Sequence, residues 1–418
     1  MPTEELPFRW RSIALTVILP TLLFAIGEGA IIPIIPLVAD DLGATLALAG
    51  LVAAVLTVGE LVGNIPSGWL VGRIGERPAM IGASLLAVVG LVVCVLSPNP
   101  WALGFGVLLI GLATAVFALA RHAFMTSFVP IAFRARALST LGGTFRLGFF
   151  IGPFLTAGVI ALTGSTGSAF WIHIGACLAT VIVLVVLPDP SKTFGAVRMV
   201  RMDGKRLREG EAFVAKEAQG LFHTIYQKRE VLTRLGLGAA LIGALRSSRA
   251  VIVPLWAVSI GLADTSTAII IGIAAMIDFA LFYTGGWIMD RYGRLWTALP
   301  SMIGLGLGHL VLTFTHDVPA NVEWFIFAAM FMALANGVGS GILMTLGADL
   351  ADKRNPAPFL GAWRFTGTLG GAGAPLAVAG ITAVASITFA AGFIGVLGLL
   401  GAGVLLRYVP RFIPREPR

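Results

Sequence analysis

Charge is scarce in this 418-residue chain. Only 12% of its residues are Asp, Glu, Lys or Arg, where a soluble domain carries roughly 25%. Hydrophobic residues make up 57%, and the mean hydropathy is +0.93. A water-soluble fold could not bury that much apolar surface. Cysteine is scarcer still: Cys94 and Cys177 are the two in the chain, each inside an apolar run, so neither a disulfide framework nor a clustered metal site is expected. No paired catalytic motif, nucleotide-binding loop or metal-ligand spacing is present. That pushes a membrane-embedded enzyme or a signalling receptor to the margin, and no catalytic residue, metal or cofactor is expected.

What the sequence has in abundance is apolar stretches long enough to cross a bilayer, about 20 residues each. They predict spans near 13–38, 45–71, 78–97, 101–128, 137–163, 167–188, 232–260, 266–289, 295–315, 321–348, 358–383 and 386–407. The first is too long for the apolar core of a signal peptide and has no small-residue cleavage site before the next span, so it is expected to remain as a helix. The fold class is therefore an all-α membrane protein of twelve transmembrane helices.

The net charge of +8 does not point to nucleic acid, because the basic residues form no single surface. With twelve spans, Arg9, Arg11, Arg73, Arg77, Arg134, Arg136, Arg291, Arg294, Lys353, Arg354, Arg407, Arg411, Arg415 and Arg418 fall on one side, together with the 189–231 connection. The opposite loops hold Asp40, Asp41, Asp264, Asp317 and Glu323 and no Lys or Arg. The positive-inside rule then predicts cytoplasmic termini and a cytoplasmic connection, in a cell inner (plasma) membrane. Membrane lipid is the expected surrounding, and Trp69, Trp101, Trp171, Trp287 and Trp324 read as interfacial anchors.

The chain divides into residues 1–188, a linker at 189–231, and residues 232–418. The linker opens with Pro188-Asp189-Pro190 and alternates charged and apolar residues through Lys205, Arg206, Arg208, Glu209, Glu211, Lys216 and Glu217. A short amphipathic helix on the membrane surface is expected there. Shifting the chain by 218 positions lays Gly68-Trp69-Leu70-Val71-Gly72-Arg73-Ile74-Gly75 on Gly286-Trp287-Ile288-Met289-Asp290-Arg291-Tyr292-Gly293, Pro36 on Pro254, Glu60 on Asp278 and Glu28 on Arg246. A shift of 219 lays Met125-Thr126 on Met344-Thr345 and Gly148 on Gly367. Two pseudo-symmetric six-helix bundles follow, and parallel repeats of this kind enclose a central cavity near mid-membrane.

Gly286-Trp287-Ile288-Met289-Asp290-Arg291-Tyr292-Gly293-Arg294 resembles the G-x-x-x-D-R-x-G-R motif of the major facilitator superfamily, carried between helices 2 and 3 and again between 8 and 9. In the first half Gly68, Arg73 and Gly75 fit, Gly72 stands where the acid is usual, Glu76 where the Arg is usual, and Arg77 comes just after. Asp and Arg on a glycine turn can latch neighbouring helix ends, and the same residues can serve simply as a basic topogenic loop. The resemblance implies that Gly68, Arg73, Gly75, Arg77, Gly286, Asp290, Arg291, Gly293 and Arg294 form a cytoplasmic gate.

In helix 5, Gly148, Gly152 and Pro153 are similar to the G-x-x-x-G-P segment of the superfamily's antiporters, continued here by Thr156-Ala157 in place of Gly-Gly. A generic tight helix crossing explains the same spacing. In helix 4, Val107 occupies the place of the proton-linked Arg of the drug:proton antiporters. Arg121 lies some four turns further on, and the resemblance carries no role over to it.

Glu28, Glu60, Asp278, Arg121, Arg146, Arg246, Arg249 and Arg364 lie within expected spans. Each charge at the bilayer centre costs at least about 2.5–3.5 kcal/mol, so they must face water, a substrate or one another. A structural salt-bridge lattice is the alternative for any one pair. Burial favours the neutral form of a carboxylate and a nearby Arg the charged one, so an Arg such as Arg246 moving relative to Glu28 would couple a proton to conformation. Glu28 is the first candidate for proton coupling, Asp278 the second and Glu60 the third. The substrate cavity is expected to involve Glu28, Arg121, Arg146, Arg246, Arg249 and Arg364. His122, His173 and His309 read first as helix contacts and second as a proton relay.

The leading reading is a proton-coupled secondary transporter, a monomer that exports small amphipathic compounds by alternating access, similar to the drug:proton antiporters. The second is an organic-anion or metabolite carrier, with uptake open as its direction, because guanidinium groups bind carboxylate and phosphate bidentately. Either takes a small-molecule substrate and no nucleic acid.

Overall fold

The computed structural model of the chain describes residues 14–129, 131–187, 199–202, 205–218, 221–352 and 356–413. Among these, twelve helices are long and apolar enough to cross a bilayer: Leu15–Asp41 (span 1), Leu46–Asn64 (2), Glu76–Val95 (3), Pro100–Phe128 (4), Ala137–Thr163 (5), Thr166–Val186 (6), Arg229–Ser259 (7), Asp264–Tyr292 (8), Leu295–Thr315 (9), Asn321–Leu350 (10), Ala357–Val384 (11) and Ile387–Phe412 (12). Each lies on a stretch expected from the sequence. A helix satisfies its own backbone polar groups, which lipid cannot do. Arg9, Arg11, Lys353, Arg354, Arg415 and Arg418 lie outside the described residues, as do the side chains of Arg134 and Arg136.

Local chemistry sets the helix ends. Thr45, Asn99 and Ser386 cap spans 2, 4 and 12 with side-chain oxygens that accept backbone N–H bonds of 3.0–3.3 Å, replacing partners that the first turn lacks. Span 1 changes to a 3₁₀ turn at Ile32–Ile34 and resumes as Ile35–Asp41. Pro33 and Pro36 account for this, since proline removes a backbone donor and clashes with the preceding turn. The helix of span 2 continues to Ile74, and Gly75 ends it at φ +89. Its repeat counterpart Gly293 ends the helix of span 8 at φ +98. Only glycine takes that region without strain.

Close helix crossings build each six-helix bundle. A Cβ on Gly148 would sit 2.5 Å from that of Ala25, and one on Gly152 would sit 2.5 Å from the backbone of Gly29 and Ala30, so span 5 lies directly on span 1. Thr156 adds a hydrogen bond to the Ala30 carbonyl at 2.8 Å. Pro153 is buried at this crossing. In the second half Gly243 and Gly367 bring spans 7 and 11 together in the same way. The two bundles meet through spans 2 and 11 and spans 5 and 8, where Phe150 stacks on Phe279 with centroids 6.2 Å apart.

On the face opposite the linker, the tail of span 1 packs on span 7, Gly50 of span 2 meets Leu255 and Ala379, and the Thr166 hydroxyl donates to Asp264 across the halves. That face is closed by the bundles themselves.

The linker departs from expectation. An antiparallel hairpin of β1 (Met199–Met202) and β2 (Lys205–Arg208) precedes a linker helix, Glu209–Ala218. That helix sits against spans 2, 4 and 11 with Gly210, Glu211 and Ala212 buried. Its periodicity reflects a protein seat in place of a lipid one, and an alternating charge pattern cannot tell the two apart.

Candidate functional site

Spans 1, 2, 4, 5, 7, 8, 10 and 11 bring the intramembrane charges into two groups, one centred on Glu28 and one on Asp278. In the first, Glu28 is 1% exposed. Its Oε1 accepts the Thr114 hydroxyl of span 4 at 2.8 Å, and its Oε2 is buried with no hydrogen-bond partner among the described residues. Glu60 and Arg121 are within electrostatic reach of Glu28. The Arg121 guanidinium lies 4.5 Å over the Phe145 ring of span 5, an arrangement that holds a cation by the ring's negative face. Arg364 of span 11 and Arg121 both act on His122, so the first group reaches across to the second half.

The second group centres on Asp278. Arg249 Nη2 donates to its Oδ2 at 2.7 Å and Asn336 Nδ2 to its Oδ1 at 3.1 Å. Arg249 Nη1 also donates to the Met332 carbonyl at 3.2 Å. Arg246 donates to the Gly339 carbonyl at 2.6 Å, and its Nε is buried without a partner among the described residues. Arg146 of span 5 lies 5.1 Å over the Phe282 ring and within the field of Asp278, Arg246 and Arg249. One carboxylate thus faces three guanidinium groups.

The expected partnership of Glu28 with Arg246 is not formed. Arg246 is drawn to span 10 and to the Asp278 group, while Arg121 is the arginine near Glu28. Sequence symmetry paired repeat positions, but Glu28 and Arg246 each find their partners elsewhere, in Thr114 and in the Gly339 carbonyl.

His173 is fully buried, edge-on to Phe24 at 5.3 Å and against Gly27, and both ring nitrogens lack partners among the described residues. His309 Nδ1 donates to the Leu305 carbonyl at 2.8 Å. Neither ring bonds to a carboxylate among the described residues. Thr114 and Asn336, which hold the two carboxylates, were not singled out from sequence. A lone Thr or Asn in an apolar run was the signal available.

The gate residues also differ from expectation. Asp290 does not bridge helix ends with Arg291: its side chain is 85% exposed and lies 3.7 Å from Arg294 one turn on. Arg291 lies over the Trp287 and Tyr292 rings at 5.9 and 5.8 Å. The pair that crosses helices is Arg294 with Asp349 at the end of span 10, joined by bonds of 2.8 and 3.2 Å. Arg294 sits just past the Gly293 turn and so points back at span 10, while Asp290 on the last helical turn faces solvent. No atom of the described residues lies within 4 Å of a Cβ placed on Gly286.

In the first half Gly68 is buried and Arg73 lies 5.1 Å over Trp69. Arg77 donates to the carbonyls of Leu184 at 2.5 Å, Val185 at 3.4 Å and Leu187 at the end of span 6. Glu76 is bonded to Arg208 of the linker at 3.0 Å.

The sequence profile of the Major Facilitator Superfamily matches residues 17–277 and again residues 235–418. The chain belongs to the major facilitator superfamily. Within the superfamily it is similar to the galactose-proton symporter of Escherichia coli strain K12, 24% identical over 212 residues that cover 50% of this chain and 45% of the symporter. It is also similar to the class H tetracycline resistance protein of Pasteurella multocida, 29% identical over 142 residues that cover 33% of this chain and 35% of that protein. Each match spans less than half the length of the relative. The fold is similar to that of the E. coli xylose transporter XylE in a partially occluded inward-open conformation, with a TM-score of 0.73 and 15% identity over 98% of this chain and 99% of the other.

Proposed function

We propose that this superfamily member is a proton-coupled secondary transporter, not an enzyme, that moves a small molecule by alternating access, with Glu28 as the proton-carrying group. One observation carries the reading: Glu28 is buried on the bent span 1, held by a neutral hydroxyl, with its second oxygen unpartnered. Such a carboxyl can gain or lose a proton without breaking an ion pair, and Arg121 nearby can favour the charged form when the helices shift. The membrane potential supplies about 2.3 kcal/mol per charge per 100 mV, enough for one proton to drive accumulation or expulsion. The linker and termini are cytoplasmic on this reading, in a plasma membrane.

For the substrate, export of small amphipathic compounds draws on the helix 5 segment and on the similarity to a tetracycline resistance protein. The geometry weakens the first support, because Gly367 and Gly371 repeat the Gly148 and Gly152 spacing at the crossing of spans 7 and 11. Carriage of an organic anion is favoured by a specific feature, the buried Arg246 Nε without a partner beside Arg146 and Arg249. Proteoliposomes with an imposed pH gradient, tested in parallel with a lipophilic cation and an organic anion, separate the two. Proton-driven movement of neither, with facilitated downhill flux intact, would remove proton coupling.

A further inference from the structure

The two halves carry the same glycine turn on the linker side but close it with different partners. After Gly293 the second half supplies a base, Arg294, which reaches Asp349 within its own bundle. After Gly75 the first half supplies an acid, Glu76, and the repeat position of Asp349 is Pro130. That bundle therefore lacks both members of the pair found in the other.

A cation reaches Glu76 from outside the bundle. Arg208, the last residue of β2, donates to Glu76 Oε2 at 3.0 Å and lies 5.1 Å over the Phe128 ring at the end of span 4. Ser127 donates to Glu76 Oε1 at 2.6 Å and accepts the Gly210 backbone N–H at 3.0 Å. Glu211 Oε2 accepts the Arg208 backbone N–H at 2.8 Å. Both oxygens of a fully buried carboxylate are thus engaged, one by span 4 and the other by the linker.

Gly210 shows how close the fit is: a Cβ there would collide with the Ala123 carbonyl oxygen and lie 2.6 Å from the Ser127 hydroxyl. The linker helix touches spans 2 and 4 of the first half and span 11 of the second. It therefore straddles the seam that alternating access must open.

We propose that the hairpin and linker helix act as a removable bolt, in which Arg208 supplies in trans the cation that closes on Glu76. The bolt holds the two halves together on the linker side, and it must leave its seat before they can part there. Leaving would expose Glu76 and the Ser127 hydroxyl to water, which satisfies them in place of Arg208 and Gly210, so release strands no buried polar group. Arg208 here is a positioning residue and touches no substrate.

The test needs neither a known substrate nor an intact coupling site. In a background with Cys94 and Cys177 replaced by Ala, spin labels at Ile74→Cys and Met344→Cys report the linker-side distance between halves in nanodiscs. Arg208→Gln removes the cation and Gly210→Val removes the fit, by unrelated chemistry. Each should convert a single short distance into a distribution with a longer component at least several-fold more populated, and Arg208→Lys should retain most of the short one. Monodisperse elution and an unchanged helical circular dichroism spectrum establish that the variants are folded. An unaltered distance distribution in folded Arg208→Gln and Gly210→Val would overturn the proposal, as would a longer component in Arg208→Lys equal to that in Arg208→Gln.

Discussion

Asp278 in the second half and Glu28 in the first are both buried carboxylates, but they are held in opposite ways. Both oxygens of Asp278 have a donor, from Arg249 at 2.7 Å and Asn336 at 3.1 Å. Glu28 accepts one bond, from a neutral hydroxyl. Neutralising Asp278 would leave a buried guanidinium without its counter-charge, whereas neutralising Glu28 breaks no ion pair. The same contrast returns on the linker side, where the second half closes its turn with its own Arg294 and Asp349 while the first borrows Arg208. One half is self-sufficient in charge pairing. The other holds Glu28 by a neutral hydroxyl and meets Glu76 with a base from the linker.

The largest effect that tests this contrast is on stability. Asp278→Asn leaves Arg249 buried without a carboxylate, and breaking a buried pair from one side costs about 3–5 kcal/mol. The side chains are only 16% and 12% exposed, so water does little to offset the loss. Thermal unfolding in detergent should show a large drop for Asp278→Asn and substantial recovery when Arg249→Met is added. A melting temperature close to that of the unsubstituted protein would mean that Asp278 is not a structural anchor.

Glu28→Gln should show the converse pattern. The amide oxygen can still accept the Thr114 hydroxyl, so stability should change little, while uphill transport driven by a pH gradient should be lost and downhill exchange retained. Full pH-driven transport in this variant would place coupling elsewhere and erase the functional side of the comparison.

The spans and the two-bundle class were legible because lipid imposes a length and an apolar composition on every crossing, and the kink of span 1 was legible because proline acts locally. The intramembrane charges were legible as a set, since each is costly in lipid. Their pairing was not: Glu28 with Thr114, Asp278 with Asn336 and Arg294 with Asp349 depend on which helix faces lie together, and repeat symmetry suggested Arg246 for Glu28 instead. Arg208 was visible only as one base among several in an alternating stretch. Nothing local in the sequence says that Glu76, standing where a base is usual, is matched by a residue 132 positions later.

Within the self-sufficient half, the gate can be sharpened residue by residue. Arg294 and Asp349 are each about a quarter exposed and doubly bonded, with side-chain exposures of 26% and 25%, so losing the pair should cost about 1.5 kcal/mol, as for hydrogen bonds to charged groups. Asp349→Asn should therefore lower the midpoint of unfolding measurably and increase linker-side opening. Asp290→Asn should leave both near their starting values, because that carboxylate is mostly in water. Equal effects of the two substitutions would show that the glycine-turn acid, and not the span 10 partner, closes this side.

The smallest effect concerns the borrowed half and the pH at which its linker stays seated. Glu211 lies outside the spans; burial first, and then the neighbouring Glu76 carboxylate, push its carboxyl above the ordinary glutamate value of 4.5, against the lowering influence of Arg208. The seated linker therefore binds a proton that the free linker has already lost. By linkage, the contribution of Glu211 to seating is fully present below 4.5, declines as pH rises through the raised value, and stays low beyond it. Hydrogen exchange of residues 209–218, corrected for intrinsic rates, should show protection that weakens from acidic to neutral pH. Glu211→Gln, which cannot ionise, should flatten that profile while leaving the Arg208–Glu76 pair in place. The second half offers an internal control, since its Arg294–Asp349 closure involves a guanidinium that stays charged throughout this range, and exchange near residues 342–350 should not follow the same curve. If protection of the linker helix rises with pH, or if both regions respond alike, the borrowed closure is not distinguished from the self-sufficient one by Glu211.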